Sequence, residues 1–305
     1  MTGPAEQAEQ AEHTGPAILR ATILGSGSSG GVPRPGGPDG RGDWGKCDPK
    51  EPKNRRTRCS LLLQRVAAGT AHDPAFTDPA AQTTALIDTS PDMRAQLLAA
   101  RCARLDGVLY THAHADQSHG IDDLRVFAIA QRAQVPVWID PHTAGELLER
   151  FDYCFMQSPG SPYPAILDHR AMPAMGQGAH IDGPSGALSI VPFLQFHGSV
   201  ESLGFRCGDI AYSSDVVDLP EESFDLLRGV KTWIVDALQE RPHATHAHLD
   251  KTLAWIERVK PARAILTNLH VSMDYQSLRT RLPGGVEPAY DGMIVECPLP
   301  VPAQA

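Results

Sequence analysis

Short apolar runs with the length and β-branched content of strands recur from residue 18 onward: ILRATIL, RCSLLLQRV, TTALIDT, LDGVLYT, VPVWID, LSIVPFLQF, LGFRCGDIAYSS, KTWIVDA, RAILTNL and GMIVEC. Between several of them the apolar positions switch to helical spacing, with Pro, Asp or Thr near the start. These segments predict helices over 91–100, 121–132, 141–151, 220–228, 245–259 and 274–281. Blocks of successive strands mixed with strand–helix alternation predict a layered α/β protein with mixed sheets rather than a purely parallel one. Residues 1–16, with the near-repeat AEQAEQAEH, hold too little apolar surface to offset the entropy of ordering. They are expected to form a disordered tail, leaving 17–305 as a single domain.

Composition narrows the class. With 305 residues and 42% hydrophobic content the chain can bury a sizeable core. No apolar run of membrane-spanning length appears, and the first residues lack the basic-then-apolar pattern of a secretion signal, so a cytoplasmic location is expected. The six cysteines are scattered with no C-x-x-C pair, which fits reduced thiols rather than a disulfide framework. A formal net charge of −9 argues against a nucleic-acid partner unless a local patch overrides it. KEPKNRRTR, residues 50–58, is one such patch, readable either as a solvated loop or as a phosphate-binding surface.

The segment GSGSSGGVPRPGGPDGRGDWG, residues 25–45, contains G-x-G-x-x-G after an expected strand. A dinucleotide fingerprint needs a helix to start at the third glycine, and the following Gly31, Pro33, Pro35 and Gly36 oppose one. The segment is expected to rim a site made elsewhere, where its backbone N–H groups could face a phosphate.

That site announces itself in THAHADQSHG, residues 111–120. His112, His114 and Asp116 follow one strand-like run, His197 a second, Asp215 a third and His270 a fourth. Imidazoles and carboxylates without cysteine form a donor set for Zn²⁺, Mn²⁺ or Fe²⁺ in an open, hydrolytic site. No G-x-S-x-G elbow offers a serine alternative. His13, His72, His142, His169 and His180 have no ligand-like neighbours.

In these motifs the chain resembles the metallo-β-lactamase-fold hydrolases, whose series runs H-x-H-x-D-H, His, Asp, His. Its LGSGSSGGVP, RRTRCSLLL, YSSDVVDLP, LTNLHVSMDY and PAYDGM segments look like the phosphoribosyl cyclic phosphate phosphodiesterase, or PhnP-like, branch, and the likeness runs from Ile18 to about Cys297. The transfer-RNA end-processing nucleases are similar but more distant. The resemblance implies a four-layer αβ/βα sandwich with two mixed sheets and two divalent metals, Zn or Mn, that activate a hydroxide. It implies that His112, His114 and His197 hold the first metal, that Asp215 bridges, and that Asp116 and His270 hold the second with Gln117 where the family has histidine. Asp116, His243 and His246 are the catalytic candidates. The H-x-T start of RPHATHAHLD resembles a general-acid motif that favours His243, with His246 the alternative.

Gln117 is the departure, because its neutral amide is a weaker ligand than imidazole. Three accounts stay open: an active two-metal enzyme with a loosened second site, a one-metal enzyme, and a catalytically weakened metal-binding relative. The expected activity is a phosphodiesterase on a small cyclic or nucleotide-like phosphate ester, with RNA processing as the alternative. A small phosphate ester is the expected partner, and a homodimer is admissible.

Overall fold

The computed structural model describes residues 17–67, 78 and 81–299, so the expected tail lies outside the described residues. Each apolar run forms a strand or a pair of strands. β1 (Ala17–Gly25), β2 (Ser60–Ala67), β3 (Gln82–Ile87), β4 (Gly107–Leu109), β5 (Val135–Ile139) and β6 (Leu167–Ala171) join β14 (Met293–Leu299) in one sheet, ordered β14-β1-β2-β3-β4-β5-β6. β7 (Ala179–Ile181), β8 (Leu188–His197), β9 (Val200–Cys207), β10 (Ile210–Ser213), β11 (Thr232–Asp236), β12 (Arg263–Thr267) and β13 (Val286–Pro288) form the second, ordered β13-β12-β11-β10-β9-β8-β7. Both sheets are mixed. The first runs antiparallel from β14 to β3 and parallel from β3 to β6. The second runs parallel from β13 to β10 and antiparallel from β10 to β7.

Strand periodicity explains the layers. In β2, Leu61 and Leu63 point between the sheets while Leu62 points to the outer helices; β3 alternates the same way, with Ala85 and Ile87 inward and Leu86 outward. The inter-sheet core thus joins Leu19, Ile23, Leu61 and Ile87 to Phe205, Tyr212, Ile234 and Ile265 of the second sheet. Outside the first sheet lie α1 (Met93–Ala99), α2 (Ala115–Ser118), α3 (Arg125–Gln131), α4 (Pro141–Arg150) and α5 (Asp152–Phe155), whose Met93, Leu97, Phe127 and Leu147 complete its outer core. Outside the second lie α6 (Glu221–Leu227), α7 (Leu249–Val259) and α8 (Tyr275–Arg281), whose Phe224, Trp255 and Leu278 meet Phe193, Trp233 and Leu266. Helix, sheet, sheet and helix stack as the expected four-layer sandwich.

Two expectations are refined. LGFRCGDIAYSS is a hairpin, with β9 and β10 hinged at Gly208 in left-handed conformation (φ 54°). The helix expected from residue 245 begins only at Leu249. The preceding residues turn inward: Ala247 N–H donates to the Val216 carbonyl, and the His246 ring reaches Asp236.

The glycine-rich segment 25–45 is irregular, with isolated bridges and no helix, as its composition predicts. Its start is pressed against the chain: a Cβ at Gly25 would stand 1.9 Å from the Arg58 carbonyl oxygen, so only glycine fits. Ser26 donates through N–H and Oγ to Asp291, which also accepts from Thr57. Gly27 bridges Arg58 on one side and Leu269 on the other, tying the segment to the edge where strands of both sheets end.

Candidate active site

Strand ends build the site. The chain leaves β4 through Tyr110 and Thr111 to reach His112, and His114 N-caps α2. His197 is the last residue of β8, Asp215 follows β10, and Asp236 ends β11. Asp88, Asp215 and Asn268, just past the ends of β3, β10 and β12, adopt left-handed backbone at φ 63°, 49° and 59°. Asp and Asn tolerate that region better than other non-glycine residues, and such strain gathers where function requires a side chain to be aimed.

The ligand-capable atoms of His112, His114 and His197 lie within 4.8 Å of one another, and those of His197, Asp215 and His246 form a second such group. The His112, His114 and His197 rings stand edge-on, with centroids 4.4 to 5.2 Å apart. Two of them are fixed from behind. The His197 Nδ1–H donates to the Thr245 carbonyl at 2.7 Å, which turns Nε2 inward. His112 Nδ1 lies 3.0 Å from Thr111 Oγ1, and Thr111 donates through N–H and Oγ1 to the wholly buried Asp88.

Electrostatics agree with neutral donors facing acids. Burial, reinforced by neighbouring imidazoles, pushes His112 well below the usual imidazole range and His197 down to about 4. Burial raises Asp215 to about 6, and burial together with the Asp215 charge does the same for Asp116. His112 Nε2 is buried with no hydrogen-bond partner, an arrangement that costs free energy unless something accepts its lone pair. Three converging imidazoles and a carboxylate fit a divalent ion.

A different arrangement lies on the far side of Asp215. Gln117, 1% exposed, donates from Nε2 to Asp215 Oδ2 at 2.8 Å. Asn268, 2% exposed, brings Nδ2 within 3.2 Å of His246 Nδ1. His246 Nδ1 bonds Asp236 Oδ2 at 2.8 Å, and its Nε2 lies 3.8 Å from Asp215 Oδ1. Burial alone would depress His246, but the Asp236, Asp215 and Asp116 charges outweigh it and raise it to about 9.

Of the residues expected at the site, His112, His114, Asp116, Gln117, His197, Asp215 and His246 are brought together. His270 is not: it lies two residues beyond the strand-end position that Asn268 occupies, and its Nδ1 bonds the Ser272 N–H and Oγ. His243 sits exposed on the rim, its ring 5.3 Å from that of His246, and its Nδ1 accepts the Thr245 N–H at 3.3 Å. His119 turns outward against Phe151. Sequence reasoning missed Asp88, Asp236 and Asn268. The strand-end signal that marked the ligands applied equally to the aspartate of TWIVD and the asparagine of AILTN.

The basic segment 50–58 is largely spent on the fold. Lys53 donates to the Tyr275 hydroxyl and stands over the Tyr290 ring, Arg55 covers Trp44, Arg56 is buried on Asn54 and Cys47, and Arg58 pairs with Asp92.

Residues 83–268, more than half of the chain, match the family model for the β-lactamase superfamily domain. The chain belongs to the β-lactamase superfamily. This superfamily member has the metallo-β-lactamase fold and resembles the PhnP branch. A crystal structure of a diphosphatase from the PhnP family aligns with a TM-score of 0.75 and 29% identity over 91% of this chain and 97% of that one. Human short-form tRNase Z aligns at TM-score 0.57 and 13% identity, over 93% of this chain and all of that one, a likeness of fold alone. An octanoyltransferase of Porphyromonas gingivalis (strain ATCC BAA-308 / W83) is 28% identical over 278 residues, covering 90% of this chain. The chain spans about half the length, 51%, of that curated relative. Among the described residues no helix is long and apolar enough to cross a membrane.

Proposed function

We propose that the chain is a metal-dependent hydrolase and, within that class, a phosphodiesterase acting on a small cyclic or nucleotide-like phosphate ester. The observation that carries this reading is one edge of the sandwich where three imidazoles and Asp215 face a carboxylate-backed histidine, His246. His112, His114, His197 and Asp215 would hold a divalent ion, Zn²⁺ or Mn²⁺. When bound, such an ion supplies Lewis acidity to a phosphoryl oxygen and acidifies water.

The chain's own groups supply the proton transfers and the orientation. Asp116, half-buried on the first turn of α2, would accept a proton from the attacking water. His246 is assigned as the acid, in place of His243: Asp236 anchors Nδ1, so Nε2 faces the site and can protonate the leaving alkoxide. His243 instead braces the Thr245 turn whose carbonyl fixes His197.

The likeness to the PhnP-family diphosphatase supports a phosphate ester as substrate. The net charge of −9 and the engagement of Lys53, Arg55, Arg56 and Arg58 within the fold favour a small ester over transfer RNA. A panel decides: a ribosyl cyclic phosphate, a nucleoside diphosphate ester, a precursor transfer RNA and p-nitrophenyl octanoate, each assayed with the metal-loaded chain. The cyclic phosphate is expected to give the highest kcat/KM. Turnover confined to the octanoyl ester or to RNA would sink the reading.

A further inference from the structure

The geometry points to a centre that holds one divalent ion, with the side-chain amides of Gln117 and Asn268 filling the place beside it where a second ion would sit. This inference rests on the metal-dependent reading above.

Around the first position the ligand atoms are free to donate to a metal. His112 Nε2 has no partner, the Nδ1 atoms of His112 and His197 face Thr111 Oγ1 and the Thr245 carbonyl, and Asp215 Oδ1 faces His197 Nε2 at 4.0 Å. Across Asp215 the chemistry inverts. Its Oδ2 accepts the Gln117 Nε2–H at 2.8 Å, so the carboxylate face turned away from the three imidazoles is occupied by a donor. An ion there would have to break that bond in a site where Gln117 is 1% exposed and water cannot replace it.

The other residue that could supply an imidazole is displaced by the backbone. Asn268, in left-handed conformation directly after β12, puts its amide beside His246, while His270 is engaged with Ser272. His246, the remaining imidazole, spends Nδ1 on Asp236. The second place therefore offers Asp116, the single imidazole nitrogen His246 Nε2, which lies 3.8 Å from Asp215 Oδ1 and is the atom assigned to proton transfer, two amides and a carboxylate oxygen already bonded. Gln117 Oε1, buried and without a partner, can reach an ion only as a neutral oxygen ligand. An oxygen-rich set of this kind would suit Mn²⁺ better than Zn²⁺, so both ions belong in the test.

The test counts metal on the full chain. Protein stripped with chelator and desalted is titrated with Zn²⁺ and, separately, Mn²⁺; stoichiometry is read by calorimetry and by elemental mass spectrometry after gel filtration. One equivalent of either ion is expected for the native chain and two for Gln117→His/Asn268→His, with Gln117→His alone serving if the double variant does not fold. Two equivalents on the native chain overturn the proposal, as does a folded variant that still takes one. Phosphodiester hydrolysis is read on the same samples. One ion with no turnover keeps the count and removes the functional reading; two ions with turnover do the reverse; no bound ion removes both.

Discussion

Asp236 ends β11 wholly buried, and its Oδ2 accepts from the His246 ring and from the Val216 N–H. It touches no substrate on this account; it aims His246. Asp236→Asn keeps the volume but removes the charge and can present its amide nitrogen to the ring, so kcat for a phosphodiester is expected to fall about 10- to 100-fold, the scale for partners that orient functional histidines. KM should move little, because substrate binding does not involve this side chain. Steady-state kinetics check the split, and an unchanged kcat would remove His246 from the proton-transfer role. At this scale the sequence was legible where candidate ligands share one short motif. His112, His114 and Asp116 declared themselves, whereas Asp236 and Asn268 did not, since neither is a ligand type in a spacing that separates it from an ordinary strand end.

Among the elements, α8 shows how the site's surroundings are pinned. Asp274, its N-cap, accepts from Ser277 N–H at 2.9 Å, Asn54 Nδ2 at 2.7 Å and Asp48 N–H at 3.1 Å, stitching the segment before β2 to the one after β12. Partial burial would raise its carboxyl, but these hydrogen bonds prevail and hold it at about 2, below the ordinary 3.8. The sign follows: a depressed carboxyl stabilises the fold fully above about pH 4 and loses that contribution as pH falls through about 2. Asp274→Ala should cost about 1 kcal/mol at pH 7, the usual scale for a lost N-cap, tempered by partial solvent exposure. Denaturant melts at pH 7 and pH 2.5 should show the native–variant gap narrowing; a gap that widens on acidification would refute the cap's role. The α8 helix was readable from its Asp and its apolar spacing. The delayed start of α7 at Leu249 was not, because the polar residues 243–248 carry no periodicity and are folded inward by His246 and Ala247 finding partners on other strands.

In the whole molecule, the alternation of runs such as SLLLQRV and QTTALI already implied buried sheets between helical layers, and the stacked order follows from it. Its mirrored build, parallel on one side of each sheet and antiparallel on the other, was not visible, because pairing partners such as β14 with β1 lie more than 270 residues apart. That long-range pairing sets β4, β8, β10 and β11 with their ends at a common edge, which no local pattern encodes. On the proposed reading this edge performs metal-dependent hydrolysis of a phosphodiester. The most direct measurement is bis(p-nitrophenyl) phosphate turnover by the native chain as purified, after chelation, and after reloading with Zn²⁺ or Mn²⁺, alongside His114→Ala. The expected result is turnover that chelation abolishes, that reloading restores, and that His114→Ala lacks while remaining folded by circular dichroism. Turnover indifferent to chelation and to His114→Ala, or none in the metal-loaded native chain, would contradict it.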